Sequence, residues 1–417
     1  MIGNLLFAAL TTTSAAAAAS DLSDYLRAAE PQFALLQTMT TTSTSTTTST
    51  SGGGGGRVQL RTVLAIGGDG YGAVNLAYDP DRDEYLAVWV EDEGSSFGVY
   101  ARIVRANGTP ATPAREVSKG NVDCCQRIGL AWAGKDYLLS YTEQDGDLAV
   151  RRIKTAKGKG RGKATVIASP GFGSAVGFDP DSNSFLVVYA DDEPASFLQK
   201  VNSKAKPVGG EIALNQAAGG GNDYEVNHVA YNFADQTVLT VGVEVSGSQR
   251  RPVGLGFDDQ LANSAGPFVY DNAFKSDAID WVAAAFRDNG SGMVAWNRAK
   301  GNGGDGFIRA VGSDGAPSGA DRKVGSGQPV NVFPLAEDLD DRYLIVWTDL
   351  DDGEVVGQEV SDNASPIGSD IEISDSSEQV ESGFNAAAYN SISGESAVIY
   401  TRAGSSPAVV VALLSPP

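Results

Sequence analysis

From Arg57 onward the chain alternates apolar and polar positions in short runs broken by acidic or glycine-bearing turns, a pattern of buried β-strands rather than helices. Val74 to Val104 shows the unit most plainly. An apolar run ending in an aromatic (Leu76, Ala77, Tyr78) meets an acidic turn, and an alternating run then closes on Trp89. A second acidic turn leads to a third alternating run. Aligning the ends of the second runs gives Trp89, Tyr141, Tyr189, Val241, Trp296, Trp347 and Tyr400, at spacings of 52, 48, 52, 55, 51 and 53. The first runs end in Tyr78, Trp132, Phe178, Tyr231, Phe286 and Tyr389, with Glu337 the exception in unit six.

Seven units of about 50 residues with about four short strands each predict an all-β, seven-bladed β-propeller, whose radial repetition buries both faces of every sheet between neighbours. The large residues at strand ends then fill the space between blades. Unit seven stops at Leu414 after its third strand, while RVQLRTVLAIG, residues 57–67, belongs to no unit. Both facts are satisfied if the N-terminal strand completes blade seven, closing the ring and removing the exposed edges of an open array. Trp281 alone among the five tryptophans falls off the register and is read as an interaction residue.

Residues 1–38 differ in kind. MIGNLLFAALTTTSAAAAAS has a short apolar core and small residues suited to signal cleavage, without a positive n-region. The segment reads either as an export signal or as an assembly tail that docks Leu5, Leu6 and Phe7 onto another subunit. Residues 39–56 hold TTTSTSTTTSTS and five glycines. They lack side chains to drive a core and read as a flexible linker, whose hydroxyls would carry glycans in an exported protein. Residues 57–417 are the propeller.

Composition narrows the function classes. The 31 basic and 52 acidic residues give a net charge of −21, which repels nucleic-acid phosphates and anionic lipid, so no nucleic-acid partner is expected. No apolar run approaches the roughly 18 residues a membrane span needs. The two cysteines, Cys124 and Cys125, are adjacent, so no disulfide framework holds the fold. Their readings are free thiols, a strained vicinal disulfide, or bridges to another subunit.

Val355 to Ser374, VVGQEVSDNASPIGSDIEIS, together with YLAVW at Tyr85–Trp89 and the ANGTP and SDGAP turns at Ala106–Pro110 and Ser313–Pro317, resembles a repeat of secreted or surface-attached bacterial propeller proteins. The resemblance covers nearly all of residues 57–417. It implies the propeller fold and an extracellular or cell-surface location, and it brings no common catalytic motif. Unit four departs from the pattern, its second strand TVLTVGV lacking the terminal aromatic.

Candidate chemistry is of three kinds. The loops between second and third strands are acidic in four units: Glu91 to Glu93; Glu143, Asp145 and Asp147; Asp191 to Glu193; and Asp349, Asp351 and Asp352. Clustered carboxylates ligate Ca²⁺, which wants six to eight oxygens, so calcium is the one cofactor suggested, with Asp349, Asp351 and Asp352 as ligands. Solvated hairpin tips are the plainer reading. His228 is the sole histidine and offers one centre for nucleophilic catalysis with no supporting motif. The third is a basic segment, Arg151, Arg152, Lys154, Lys157, Lys159, Arg161 and Lys163, placed on the hairpin between the third and fourth strands of blade two. It is read as a solvated loop or as an electrostatic contact with a polyanionic glycan or an acidic face of another copy.

These readings add up to a non-catalytic extracellular structural or binding module, a subunit of a surface fibre, layer or virion in the assembly version, with copies of itself, surface proteins or glycans as partners. The alternative is a carbohydrate-active hydrolase or lyase, or a calcium-dependent lectin, using acidic loops at the channel mouth.

Overall fold

The computed structural model describes residues 59–416, apart from short internal segments such as 272–278 and 375–379. Leu5, Leu6 and Phe7, with the rest of residues 1–56, lie outside the described residues. The chain forms seven four-stranded antiparallel sheets, each ordered first to fourth strand. The first strands are Gly70–Asp79, Gly129–Trp132, Phe172–Asp179, Asp223–Asn232, Val282–Phe286, Pro329–Glu337 and Val380–Tyr389. Each touches the next, and the last touches the first, in a closed ring around the axis. The fold is a seven-bladed β-propeller.

Closure follows the sequence reading. Gln59–Ala65 pairs antiparallel with Ala408–Ser415, from Gln59 opposite Ser415 to Ala65 opposite Val410, and supplies the outer strand of blade seven. The core has the same seven-fold logic. Seven apolar clusters occur among the described residues, one at each blade-to-blade interface. Because side chains alternate across a strand, each second strand serves two interfaces. Tyr85, Ala87 and Trp89 pack toward blade seven, and Leu86, Val88 and Val90 toward blade two. Such strands have no polar face, which is why their middles read as continuous apolar runs.

The aligned large residues are at most 2% exposed. Three stack on an aromatic directly opposite on the third strand: Trp89 on Tyr100, Tyr189 on Phe197 and Trp296 on Phe307, with centroids 6.2, 5.5 and 5.7 Å apart. The two exceptions in the repeat have local compensations. Val241 faces Gly254, and the space left by both is taken by buried Tyr270 from the crossing to blade five, whose ring lies where a Gly254 side chain would be. Glu337, 1% exposed, replaces an inter-blade aromatic contact with a hydrogen bond accepted from the Ser396 hydroxyl of blade seven.

Turns joining first to second and third to fourth strands lie on one face; second-to-third turns and the blade crossings lie on the other. In all seven first-to-second turns one residue adopts a left-handed conformation: Asp83, Gly134, Asn183, Gln236, Gly290, Asp341 and Gly394. The acidic and amide residues that open four of these turns accept backbone N–H bonds two residues on, as with Asp79 from Asp81, Asp179 from Asp181, Asn232 from Ala234 and Asn390 from Ile392. The acidity of this face is turn chemistry.

Candidate functional site

The basic segment forms the expected hairpin, Leu148–Lys154 paired with Lys159–Ala168, and its seven cations divide into two groups. Arg152 and Arg161 converge on the carboxylate of buried Asp136. Arg151 lies across Gly160 and donates to the backbone oxygens of Val117, at 2.5 Å, and Gly162, at 3.1 Å. These arginines brace the blade and its junction with blade one. Lys154, Lys157, Lys159 and Lys163 are exposed and form no ion pair among the described residues.

The hairpin tip docks on blade one, where Gly158 comes up against Ile103 and Thr112 so closely that a β-carbon would stand 3.3 Å from Ile103. Between them lies a cleft of about 280 Å³ lined by Thr112, Arg115, Ala156, Lys157 and Lys159. Three cations and a hydroxyl thus converge on a shallow recess of a protein whose net charge is −21. This size admits a single anionic group or sugar ring, below the usual range for an enclosed drug-sized ligand. Sequence reasoning missed Thr112 and Arg115. They follow the ANGTP turn of blade one, some 40 residues before the hairpin in sequence, and only the radial stacking of blades joins them to it.

The acidic hairpins behave differently. Trp89 Nε1 donates to Glu91 at 2.8 Å, Asp92 accepts from the Gly94 N–H at 2.6 Å, and Glu93 accepts from the Tyr100 hydroxyl at 2.9 Å. Asp349, Asp351 and Asp352 do not gather into the oxygen cage calcium wants. Buried Asp349 is committed to its own turn, accepting from the Asp351 N–H at 3.0 Å, while Asp351 and Asp352 are exposed. Among the described residues, the all-carboxylate group that does converge is Glu143, Asp145 and Asp147 on blade two, with ligand oxygens within 4.8 Å of one another. Burial, then the charges of Asp145 and Asp147, push the Glu143 carboxyl up. On the opposite face Arg287 of blade five, only 3% exposed, is held by Asp341 and Asp362 of blade six.

On the crossing face, side chains from four blades meet near the axis. The Arg127 guanidinium of blade two lies 3.2 Å from the centroid of Trp281 at the start of blade five and donates to Asn331 Oδ1 of blade six at 2.9 Å. His228 of blade four meets the edges of Trp281 and Phe333, at centroid distances of 6.3 and 5.5 Å. Register breaks between Val226 and His228, and between Val330 and Phe333, aim these residues inward. Trp281 therefore corrects the sequence reading. It is 7% exposed, its backbone N–H bonds to Asn297 Oδ1 at 3.0 Å, and the ring face that a ligand would use is covered by Arg127.

His228 lies on the first strand of blade four, Asp223–Asn232. The residue keeps partial solvent exposure, yet the protein around it leaves the charged form poorly solvated. Burial, then the neighbouring Arg127, pulls its pKa to about 4, so the imidazole is neutral at physiological pH. Nδ1 has no hydrogen-bond partner among the described residues. With no carboxylate orienting it among the described residues, the ring reads as a packing histidine.

Cys124 and Cys125 sit in the turn that leads to Arg127, half-buried and exposed respectively, as free thiols with Sγ atoms 2.7 Å apart. Their mutual hydrogen bond pushes Cys124 up and draws Cys125 down.

No family model matches the sequence, and no curated protein matches it. Solved structures match by fold. The chain is similar to the polysaccharide lyase Uly1, at 9% identity over 86% of this chain and 92% of that one, with a TM-score of 0.56. It is also similar to the Dos1 propeller, at 10% identity over 86% and 95%, TM-score 0.51, and to the hydrazine synthase of Kuenenia stuttgartiensis, at 10% identity over 81% and 92%, TM-score 0.50. At these identities the likeness is one of fold. No helix among the described residues is long and apolar enough to cross a membrane.

Proposed function

We propose that the protein is a non-catalytic, extracellular or surface-displayed binding propeller that engages a polyanionic glycan, sulfated or uronate-bearing, through the cleft between blades one and two. The observation that carries this reading is the convergence of Arg115, Lys157 and Lys159 beside Thr112 on a molecule of net charge −21. Cations placed against the charge of the whole molecule raise no solubility, and these exposed lysines brace no described carboxylate. A polymer suits the cleft's size: one anionic group enters, and its neighbours lie along Lys154 and Lys163. In this reading residues 1–38 either direct export and are removed, or remain as an assembly tail that tethers the propeller to its surface, with the Thr/Ser/Gly stretch as spacer.

Binding of a sulfated glycan and of a polyuronate, measured by calorimetry at low and physiological salt, tests the proposal. Affinity that weakens with salt is expected, and no binding to either polymer at low salt sinks it. Release of unsaturated products from the polyuronate would replace it with a lyase reading, which the shared fold of a polysaccharide lyase makes worth the assay. Salt-sensitive self-association without glycan binding would replace it with an acidic face of a second copy as the partner.

A further inference from the structure

The crossing from blade one to blade two brings three different ligand atoms together outside the cleft. A carboxylate oxygen of Asp123 and the sulfurs of Cys124 and Cys125 lie within 4.8 Å of one another. The turn that carries them is fixed at several points. Asp123 Oδ1 accepts the Cys125 N–H at 3.0 Å, which sets the carboxylate beside the thiols. Upstream, the Asp123 N–H bonds to the Thr142 oxygen at 3.0 Å and Val122 bridges to Glu143. The Cys124 carbonyl packs over Gly72 of blade one so closely that a β-carbon there would stand 2.7 Å away. Downstream, Arg127 is pinned to Trp281 and Asn331. Pinned ends and converging donors are what a preorganised metal site requires.

We propose that Asp123, Cys124 and Cys125 form a binding site for one thiophilic divalent cation, Zn²⁺ or its analogue Cd²⁺, at the channel mouth. Two thiolates and one carboxylate match the ligand preferences of zinc, which leaves its fourth tetrahedral position to water. Thiolates distinguish the site from a calcium site, whose ligands are oxygens. With zinc–sulfur bonds of about 2.3 Å, two sulfurs on one tetrahedral ion stand about 3.8 Å apart. The free thiols at 2.7 Å must therefore open by roughly 1 Å. Side-chain rotation supplies this, since Cys125 is exposed and Cys124 half-buried. The cation displaces both thiol protons to solvent as it binds. The neighbouring group Glu143, Asp145 and Asp147, on the hairpin to which residues 121–123 are hydrogen-bonded, adds negative potential that favours a cation.

Titration of the fully reduced, full-length protein with Cd²⁺, followed by thiolate-to-cadmium charge-transfer absorption, reads the site directly. The absorption should grow to saturation at one ion per chain, and excess Zn²⁺ should slow the reaction of both thiols with an aromatic disulfide reagent at least tenfold. Cys124→Ser with Cys125→Ser removes the absorption, Asp123→Asn weakens binding about tenfold, and Glu143→Gln with Asp147→Asn leaves the absorption in place. No charge-transfer band on the wild-type protein, thiol reactivity indifferent to Zn²⁺, or saturation at one ion per two chains would each overturn the proposal, whether or not the variants fold.

Discussion

The acidic hairpins and the basic hairpin of blade two are built alike, as tight turns between antiparallel strands, and use their charge differently. In the acidic turns several carboxylates are occupied, Glu91 by Trp89, Glu93 by Tyr100 and Asp349 by the Asp351 N–H, while Asp351 and Asp352 at the tip of blade six are exposed. On the basic hairpin the arginines are occupied in the same way, while Lys154, Lys157, Lys159 and Lys163 form no ion pair among the described residues, and Lys157 and Lys159 line the cleft. Charge consumed by the fold says little about partners, and charge left over says more. The difference is also one of residue type. Arginine's planar fork suits buried fixed contacts, and lysine's hydrated ammonium suits an exposed surface.

The sharpest break of this comparison is at Asp136, the buried carboxylate that holds both Arg152 and Arg161. Asp136→Ala leaves two cations without their counter-charge. Removing one partner of a fully buried pair costs about 3–5 kcal/mol, and because the Arg161 side chain is 51% exposed and can rehydrate, about 2–3 kcal/mol is expected here. Urea denaturation measures it. Glycan affinity should hold or rise, since the freed guanidiniums lie on the same hairpin. A fall in affinity at preserved fold would show that the braced arginines, not the lysines, carry binding.

Lys157→Gln with Lys159→Gln makes the complementary test. Each lysine near a polyanionic surface contributes about 1 kcal/mol, so the pair should weaken glycan binding by about thirtyfold. Stability should move by less than about 0.5 kcal/mol, because neither side chain is part of the packing. Loss of stability without loss of affinity would reverse the roles assigned to the two groups.

A third test uses a cation that the fold suppresses, His228. The pKa of His228 is lowered to about 4 in the folded state against about 6.5 unfolded, so between these values the unfolded chain binds more protons. Stability from this group is fully present above about pH 6.5 and is lost as pH falls toward 4. From pH 7 to 5, above most carboxylate titration, the loss amounts to about 2 kcal/mol. His228→Leu should flatten that slope in urea denaturation across the same range. An unchanged slope would show that the ring is solvated through the channel.

Much of the fold was legible in the chain, because a propeller repeats one local rule. Short apolar runs bounded by turns, with the aligned large residues at their ends, located every second strand, and the orphan strand at residues 57–67 gave away the closure. Exceptions such as Val241 and Glu337 were visible as gaps, but what fills them was not. Tyr270 and Ser396 come from neighbouring segments, and nothing local marks such a contact. The site was legible in halves. The lysines of the hairpin stood out as a charge run, whereas Arg115 and Thr112 belong to another blade. Trp281 reads as an interaction residue in the sequence because its partner Arg127 lies three blades away around the ring. Side chains that meet across the channel leave no periodic signal.

The smallest expected effect separates a turn carboxylate from a surface carboxylate within a single hairpin. Asp349, buried and bonded to the Asp351 N–H at 3.0 Å, orders the chain at the tip of blade six. Asp349→Ala strands that N–H and should cost about 1 kcal/mol. Asp351→Asn with Asp352→Asn changes two exposed charges and should stay within about 0.5 kcal/mol, with melting equally indifferent to added Ca²⁺ before and after the change. A calcium-dependent rise in melting temperature that disappears in the double variant would show that these carboxylates close on an ion after all. The acidic hairpins would then join the basic one as charge held for a ligand, because a cation that recruits Asp349 must take it from its own turn.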